Sequence, residues 1–270
     1  MSKSLLLTLL AVCVAGPILG GCSDMPVFIG REQEIAMGRE AAPQFEKEFG
    51  GEVASEKLQS YVSSIGQQVA KKSARPDLPY EFALLESDTP NAFALPGGKI
   101  YVTRGLVEVM TNERQLAAVL SHEVGHVAQR HNVKALQAQM GGQLLAQLAA
   151  SIFEGTAGQV AGAAAKVATG MANLKYSRSN EYQADKVGID IMTAADYDPE
   201  GMVELLQVLY SLHEQEPGRF GEMFQTHPLT SKRIENARQY IKDNYPSYQF
   251  GTPPPNEDKF LQMRSLLKKT

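Results

Sequence analysis

The 270-residue sequence predicts an α+β domain, mainly helical, with one small β-sheet. Three observations carry that expectation. Apolar residues recur at spacings of three to four through most segments, as buried helix faces require. Two short β-prone runs stand apart from them at 80–86 and 99–103, the second behind the turn signal Pro96-Gly97-Gly98. Composition, 43% hydrophobic and 21% charged, suits a globular chain and excludes a disordered, collagenous or coiled-coil one. The net charge of −4 comes without clustered basic residues, which excludes nucleic acid as a partner. Both cysteines, Cys13 and Cys22, lie near the N-terminus, so the body carries neither a disulfide framework nor a cysteine metal site.

Lys3, the apolar run 5–15, Gly16-Pro17 and Leu19-Gly20-Gly21-Cys22 have the layout of a secretory signal over residues 1–21, too short for a membrane-spanning helix. Leu-Gly-Gly-Cys resembles the bacterial lipobox, which implies that Cys22 becomes the lipid-modified first residue and tethers the protein to a membrane. A bacterial cell-envelope location facing the periplasm follows. Ser23 stands where the enterobacterial inner-membrane retention rule has Asp, which points to the outer membrane. Residues 22–30 then form a tether, 31–244 the folded domain, and 245–270 a C-terminal tail containing Pro253-Pro254-Pro255.

Within the domain, 31–49 reads as a polar helix stopped by Gly50-Gly51. Ser55 caps a second helix whose Leu58, Val62, Ile65 and Val69 face a core. The two strands follow Pro76 and Pro79. Asn112-Glu-Arg-Gln115 opens a helix presenting Leu116, Val119, Leu120 and Val127 inward. Segment 141–172, rich in Ala and Gly, reads as helical but weakly held, and its Gln, Glu and Lys residues interrupt it too often for a bilayer span. Further helices are expected over about 180–195, from Asp198-Pro199 to Leu212, from Thr230 or Ser231 onward, and briefly in the tail.

The chemistry is concentrated in His122-Glu123-Val124-Gly125-His126, inside the helix opened at Asn112. Residues four apart differ by about 40° around a helix, so both imidazoles leave one face and can grip one ion. Glu123 is offset enough to miss the ion and reach a water beside it, the place of a general base. A catalytic zinc needs a third protein ligand and an open position. A third histidine in the HExxHxxGxxH arrangement is excluded, because Gln129 and Asn132 stand where Gly and His are required. Glu181-Tyr-Gln-Ala-Asp185 offers a carboxylate instead. On one helical face, Glu181 can bind the ion while Asp185 accepts a hydrogen bond from a ligand imidazole. His131, about 140° from His126 on a continuing helix, and His213, near a helix end, read as surface or structural residues. His227, opening His227-Pro-Leu-Thr-Ser-Lys-Arg233, and Arg233 supply the donor and cation that an oxyanion beside zinc would require.

Four motifs, HExxH, the ExxxD helix after a long Ala/Gly-rich insertion, Asn91-Ala92-Phe93 before a Gly-Gly turn, and His227-Pro with Arg233, together resemble one family. It is that of the gluzincin metallopeptidases, which includes HtpX, the CAAX prenyl endopeptidases and mitochondrial Oma. The likeness covers roughly 31–244 and is strongest to the family's envelope members. It implies a zincin-type metallopeptidase domain whose sheet lines the active-site cleft with its edge strand. It implies one zinc ion per chain on His122, His126 and Glu181, Glu123 as base, and His227 with Arg233 as catalytic groups stabilising the intermediate. It further implies that 91–102 forms the lip and edge strand, with Asn91, Ala92, Phe93, Ile100, Tyr101 and Val102 meeting substrate. An unpaired edge adds a peptide through main-chain hydrogen bonds with little dependence on its sequence. The expected substrates are therefore extended or unfolded polypeptides, with outer-membrane assembly proteins as candidate partners. The expected function is zinc-dependent cleavage of unfolded or misassembled envelope proteins. Its rival is a periplasmic chaperone or assembly factor with latent proteolysis, in which the 141–172 hairpin or His227 covers the zinc at rest.

Overall fold

The structure, a computed structural model, describes residues 27–216, 218–253 and 257–267. The expected signal segment and Cys22 lie outside the described residues. In order, these form α1 (Arg31–Glu48), α2 (Glu56–Ala70), β1 (Glu81–Leu85), β2 (Ala92–Ala94), β3 (Lys99–Thr103), α3 (Arg104–Val109), α4 (Glu113–Ala128), α5 (His131–Met140), α6 (Gly142–Glu154), α7 (Ala157–Ala172), α8 (Arg178–Ala194), α9 (Glu200–Gln215), α10 (Gly221–Thr226), α11 (Ser231–Asn244) and α12 (Glu257–Leu267). The α+β expectation holds. The helix starts follow local chemistry: Ser55, Asn112 and Ser177 each accept a backbone N–H at the N-terminus of α2, α4 and α8.

The sheet has the order β1-β3-β2, with β1 parallel and β2 antiparallel to β3. Side chains alternate faces along a strand, and here the alternation sorts two cores. Phe82, Leu84, Ala92, Ala94, Ile100 and Val102 face a cluster built by α2, α4, α8 and α9, while Ala83, Leu85, Phe93 and Tyr101 face α1 and α5 to α7. Helices thus cover both faces, and β2, the edge strand, lies against α4, the helix that carries the histidines.

Two readings change. The first helix is less polar than expected, because it buries Ala36, Met37, Ala41, Ala42 and Phe45. It lies directly on the 96–98 turn, where Gly97 takes φ +81° and a Cβ would stand 2.5 Å from Ile35 Cα. Segment 141–172 breaks at Gly155 into α6 and α7, a hairpin packed on α1 rather than over α4. The tail docks: Phe260, Met263 and Leu267 are buried, and Arg264 donates to the Met110 carbonyl at the end of α3. No described helix is long and apolar enough to cross a membrane.

Candidate active site

Two helices build the site. His122 and His126 leave one face of α4 with their Nε2 atoms 3.0 Å apart, and Glu181 comes from the first turn of α8. Glu181 Oε1 stands 3.3 Å from His126 Nε2, and Oε2 stands 3.6 Å from His122 Nε2. Ligand atoms about 2.0–2.1 Å from a tetrahedral ion are separated by roughly 3.3–3.4 Å. The spacing therefore fits one small cation.

Glycine makes the helix approach possible. A Cβ at Gly188 of α8 would lie 3.1 Å from His122 N, and one at Gly125 of α4 would lie 3.2 Å from the Ala184 carbonyl oxygen. A larger residue at either place pushes the two donor sets apart. Gly188→Val should cost about 1–3 kcal/mol of stability and lower metal occupancy, both readable from chemical denaturation and elemental analysis of the same preparation.

His227, just past α10, completes the group. Its Nδ1 is 3.2 Å from Glu181 Oε1, and one ligand atom from each of His122, His126, Glu181 and His227 falls within 4.8 Å of the others. Glu123 lies alongside, 1% exposed, with Oε1 3.8 Å from His227 Nε2 and Oε2 without a hydrogen-bond partner among the described residues. A buried carboxylate oxygen left unpaired is costly unless water or substrate meets it. Burial pushes the Glu123 carboxyl up from its ordinary value.

Behind the ligands sits a charge frame. Arg233 of α11 donates from Nε and Nη2 to the two oxygens of Asp185, at 2.8 and 2.6 Å, and from Nη1 to Glu181 Oε2 at 2.5 Å. Asp185 Oδ1 is also 3.0 Å from His122 Nδ1. Burial alone would raise both carboxyls. Arg233 overcomes it, with help from the imidazoles, and holds Glu181 well below and Asp185 below the usual carboxylate value. Burial opposes charge on His122 too, yet Asp185 and Glu181 carry it up to about 10, whereas burial keeps His126 well below the ordinary value.

The sequence-predicted residues His122, Glu123, His126, Glu181, Asp185, His227 and Arg233 thus share one buried cluster. Arg233, expected to hold an oxyanion, turns its guanidinium toward the carboxylates of Asp185 and Glu181, with Nη1 also 3.4 Å from the Pro228 carbonyl, and in this arrangement it balances their charge. The structure corrects the substrate lip. Ile100, Tyr101 and Val102 belong to the central strand, paired on both sides and at most 2% exposed, so they offer no edge. Asn91, Ala92 and Phe93 do lie on or beside the edge strand, where Asn91 Oδ1 accepts from Ala92 N at 3.0 Å.

Two residues escape a reading of the sequence. Tyr176 lays its ring on His126, with centroids 3.9 Å apart and planes 26° from parallel; it sits just outside α8, where no helical period could place it. His131 is 1% exposed, not a surface residue, and its Nδ1 meets His126 Nδ1 at 3.1 Å. The 140° offset assumes a continuing helix, but Arg130 at φ +58° turns the chain back between α4 and α5. His213, half-buried near the end of α9, packs on Phe224 and stays away from the cluster.

A helix carrying HExxH, a glutamate from a second helix and a small covered sheet define the HExxH metallopeptidases whose third ligand is a glutamate. The chain belongs to Peptidase family M48, whose profile it matches over residues 56–241. It is 28% identical over 256 residues to the beta-barrel assembly-enhancing protease of Escherichia coli K12, covering 88% of this chain and 52% of that relative. It is 30% identical over 202 residues to the metalloprotease YcaL of the same organism, covering 73% of this chain and 76% of YcaL. The mitochondrial metalloendopeptidase OMA1 of Schizosaccharomyces pombe is 30% identical over 183 residues, covering 68% of this chain and 53% of OMA1. The chain spans about half the length of the assembly-enhancing proteases it matches.

Proposed function

We propose that the protein is a zinc-dependent endopeptidase of the bacterial cell envelope that cleaves unfolded or misassembled polypeptides. The observation carrying this reading is the meeting of three donors at tetrahedral separations with the unpartnered Glu123 Oε2. A donor set of two imidazoles and one carboxylate suits zinc. Bound by His122, His126 and Glu181, zinc would polarise the scissile carbonyl and acidify a water. Glu123 takes the proton from that water and returns it to the leaving amine. His227 must leave the donor group to open a position for substrate, and its imidazole then serves as the oxyanion donor. Loss of Glu181 should act differently from loss of the base: Glu181→Ala protein is expected to lose most of its zinc by elemental analysis while keeping its helical circular dichroism.

Substrate would lie along β2. Ala92 and Ala94 form the pairs with β3 whose main-chain groups point outward. Ala92 N–H is already used by Asn91 and the Ala94 carbonyl accepts from Asn132 Nδ2 at 3.2 Å, so the Ala92 carbonyl and Ala94 N–H would meet a peptide once the cover over this edge, where both residues are 1% exposed, moves aside. Recognition through main-chain groups asks for an extended segment rather than a sequence, which accords with unfolded clients. The likeness to a beta-barrel assembly-enhancing protease supports an envelope setting with outer-membrane assembly proteins as partners, and the Leu-Gly-Gly-Cys motif supports Cys22 as lipid anchor. Zinc-loaded full-length protein should degrade reduced casein, stop on chelation and resume on zinc addition; intact casein under all three conditions would remove the peptidase reading.

One observation favours the chaperone-like alternative in the resting state. The space enclosed by Glu123, His227, Arg233 and the apolar wall of α9 is about 20 Å³, room for a water and not for a peptide. Tyr176 N donates to the Thr226 carbonyl at 3.0 Å, closing the segment before α8 onto the end of α10. Suppression of client aggregation by chelated protein would favour a holding role beside the enzymatic one.

A further inference from the structure

We propose that His131, backed by Gln183 and Gln129, is a positioning residue that fixes the tautomer and orientation of His126, keeping His126 Nε2 unprotonated for metal. The inference rests on the reading of His126 as a metal ligand. His131 opens α5 and is folded back against α4 by the turn at Arg130. Its Nδ1 faces His126 Nδ1 at 3.1 Å, and its Nε2 faces Gln183 Oε1 at 3.0 Å. The Gln183 amide in turn donates to Gln129 Oε1 at 3.0 Å. A relay of four side chains thus runs from the buried cluster out to Gln129.

The relay can run in either of two polarities, and only one suits a metal. An imidazole binds an ion through a bare nitrogen, and His126 turns Nε2 toward His122 and Glu181. Its proton must then sit on Nδ1 and be donated to His131 Nδ1. His131 Nδ1 must be bare to accept it, so His131 is protonated on Nε2 and donates to Gln183 Oε1. That is the amide orientation in the structure, in which the Gln183 nitrogen also donates to Gln129 Oε1. Were the Gln183 amide reversed, each bond would reverse with it, ending with a proton on His126 Nε2 and no site for an ion. His122 Nδ1 instead faces the Asp185 carboxylate at 3.0 Å, an ion-pair contact outside hydrogen-bond angles. His126 has a neutral relay in its place, so the two ligand imidazoles are steered by unlike partners.

The test compares His131→Phe, which keeps a ring and removes the acceptor, with His131→Asn, whose Oδ1 can take the place of Nδ1. Full-length apo-protein is titrated with zinc against a chromophoric chelator. Phe is expected to weaken zinc binding about 10–100-fold and Asn to restore most of it, while thermal melting of the chelated proteins separates affinity from folding. In zinc-loaded wild type, imidazole ¹⁵N spectra should show His126 protonated at Nδ1. Equal zinc affinity of Phe and wild type, an Asn protein as weak as Phe, or a bare His126 Nδ1 would each overturn the proposal. Should the Phe protein fail to fold, the Asn titration and the wild-type tautomer decide it. Wild type that binds no zinc overturns the metal-site reading as well, whereas wild type that binds zinc with an unchanged Phe variant overturns only the role of His131.

Discussion

Glu123→Gln protein should bind zinc as wild type does and lose casein cleavage by about 10²–10⁴-fold, the usual worth of a positioned proton acceptor. The substitution keeps size and shape in a site where Glu123 is 1% exposed, so packing against Val119, Leu206 and His227 has no reason to change. What it removes is basicity. Burial already raises the Glu123 carboxyl from its ordinary value, which makes the carboxylate a better proton acceptor than an exposed one. The oxygen without a partner, Oε2, is where the water proton would go. Because Glu123 is outside the donor group of His122, His126, Glu181 and His227, metal content should not follow activity down. Undiminished caseinolysis by homogeneous Glu123→Gln protein would remove Glu123 from the chemistry.

The site is legible in the sequence where its geometry is local. His122, Glu123 and His126 are fixed relative to one another by one helix, and so are Glu181 and Asp185, so a period of 3.6 is enough to place them on common faces. The β-prone runs at 80–86 and 99–103 place β1 and β3 for a similarly local reason, whereas the three-residue β2 makes no such run. Strand order is different: β1 pairs with β3 in parallel, across the intervening β2, and that crossing turns 99–103 into the centre of the sheet and 92–94 into its edge. Nothing in the Lys99-to-Thr103 run distinguishes a central strand from an edge, since Ile100 and Val102 suit either. His131 is hidden by a backbone event, the left-handed Arg130, which a non-glycine residue does not advertise. Arg233 is visible as a cation but its partners are not, because its own helix does not reveal that two carboxylates of α8 face its guanidinium. The docking of α12 is hidden in a short tail behind prolines, where only Phe260, Met263 and Leu267 hint at a buried stripe.

Removing Arg233 should be the most damaging single change to the metal-free protein. Its side chain is 5% exposed and bridges Asp185 and Glu181, themselves nearly unexposed, so Arg233→Leu leaves two buried carboxylates without their cation. Breaking such a pair costs about 3–5 kcal/mol. The pH dependence gives the cause away. In wild type both carboxyls are held below their ordinary values, so their contribution is complete above the unfolded carboxylate range of roughly 4 and is lost only as pH falls through the lower folded values. In the leucine protein burial raises them instead, and protonation relieves the strain. The stability gap between the two proteins should therefore be widest near neutral pH and narrow in acid. Arg233→Lys should recover only part of it, because an ammonium is a single point charge and cannot span both carboxylates as the guanidinium fork does. Urea denaturation in the presence of chelator at neutral and acidic pH reads this directly; a gap that is absent at neutral pH, or that widens in acid, would show that Arg233 does not balance the Glu181 and Asp185 charges.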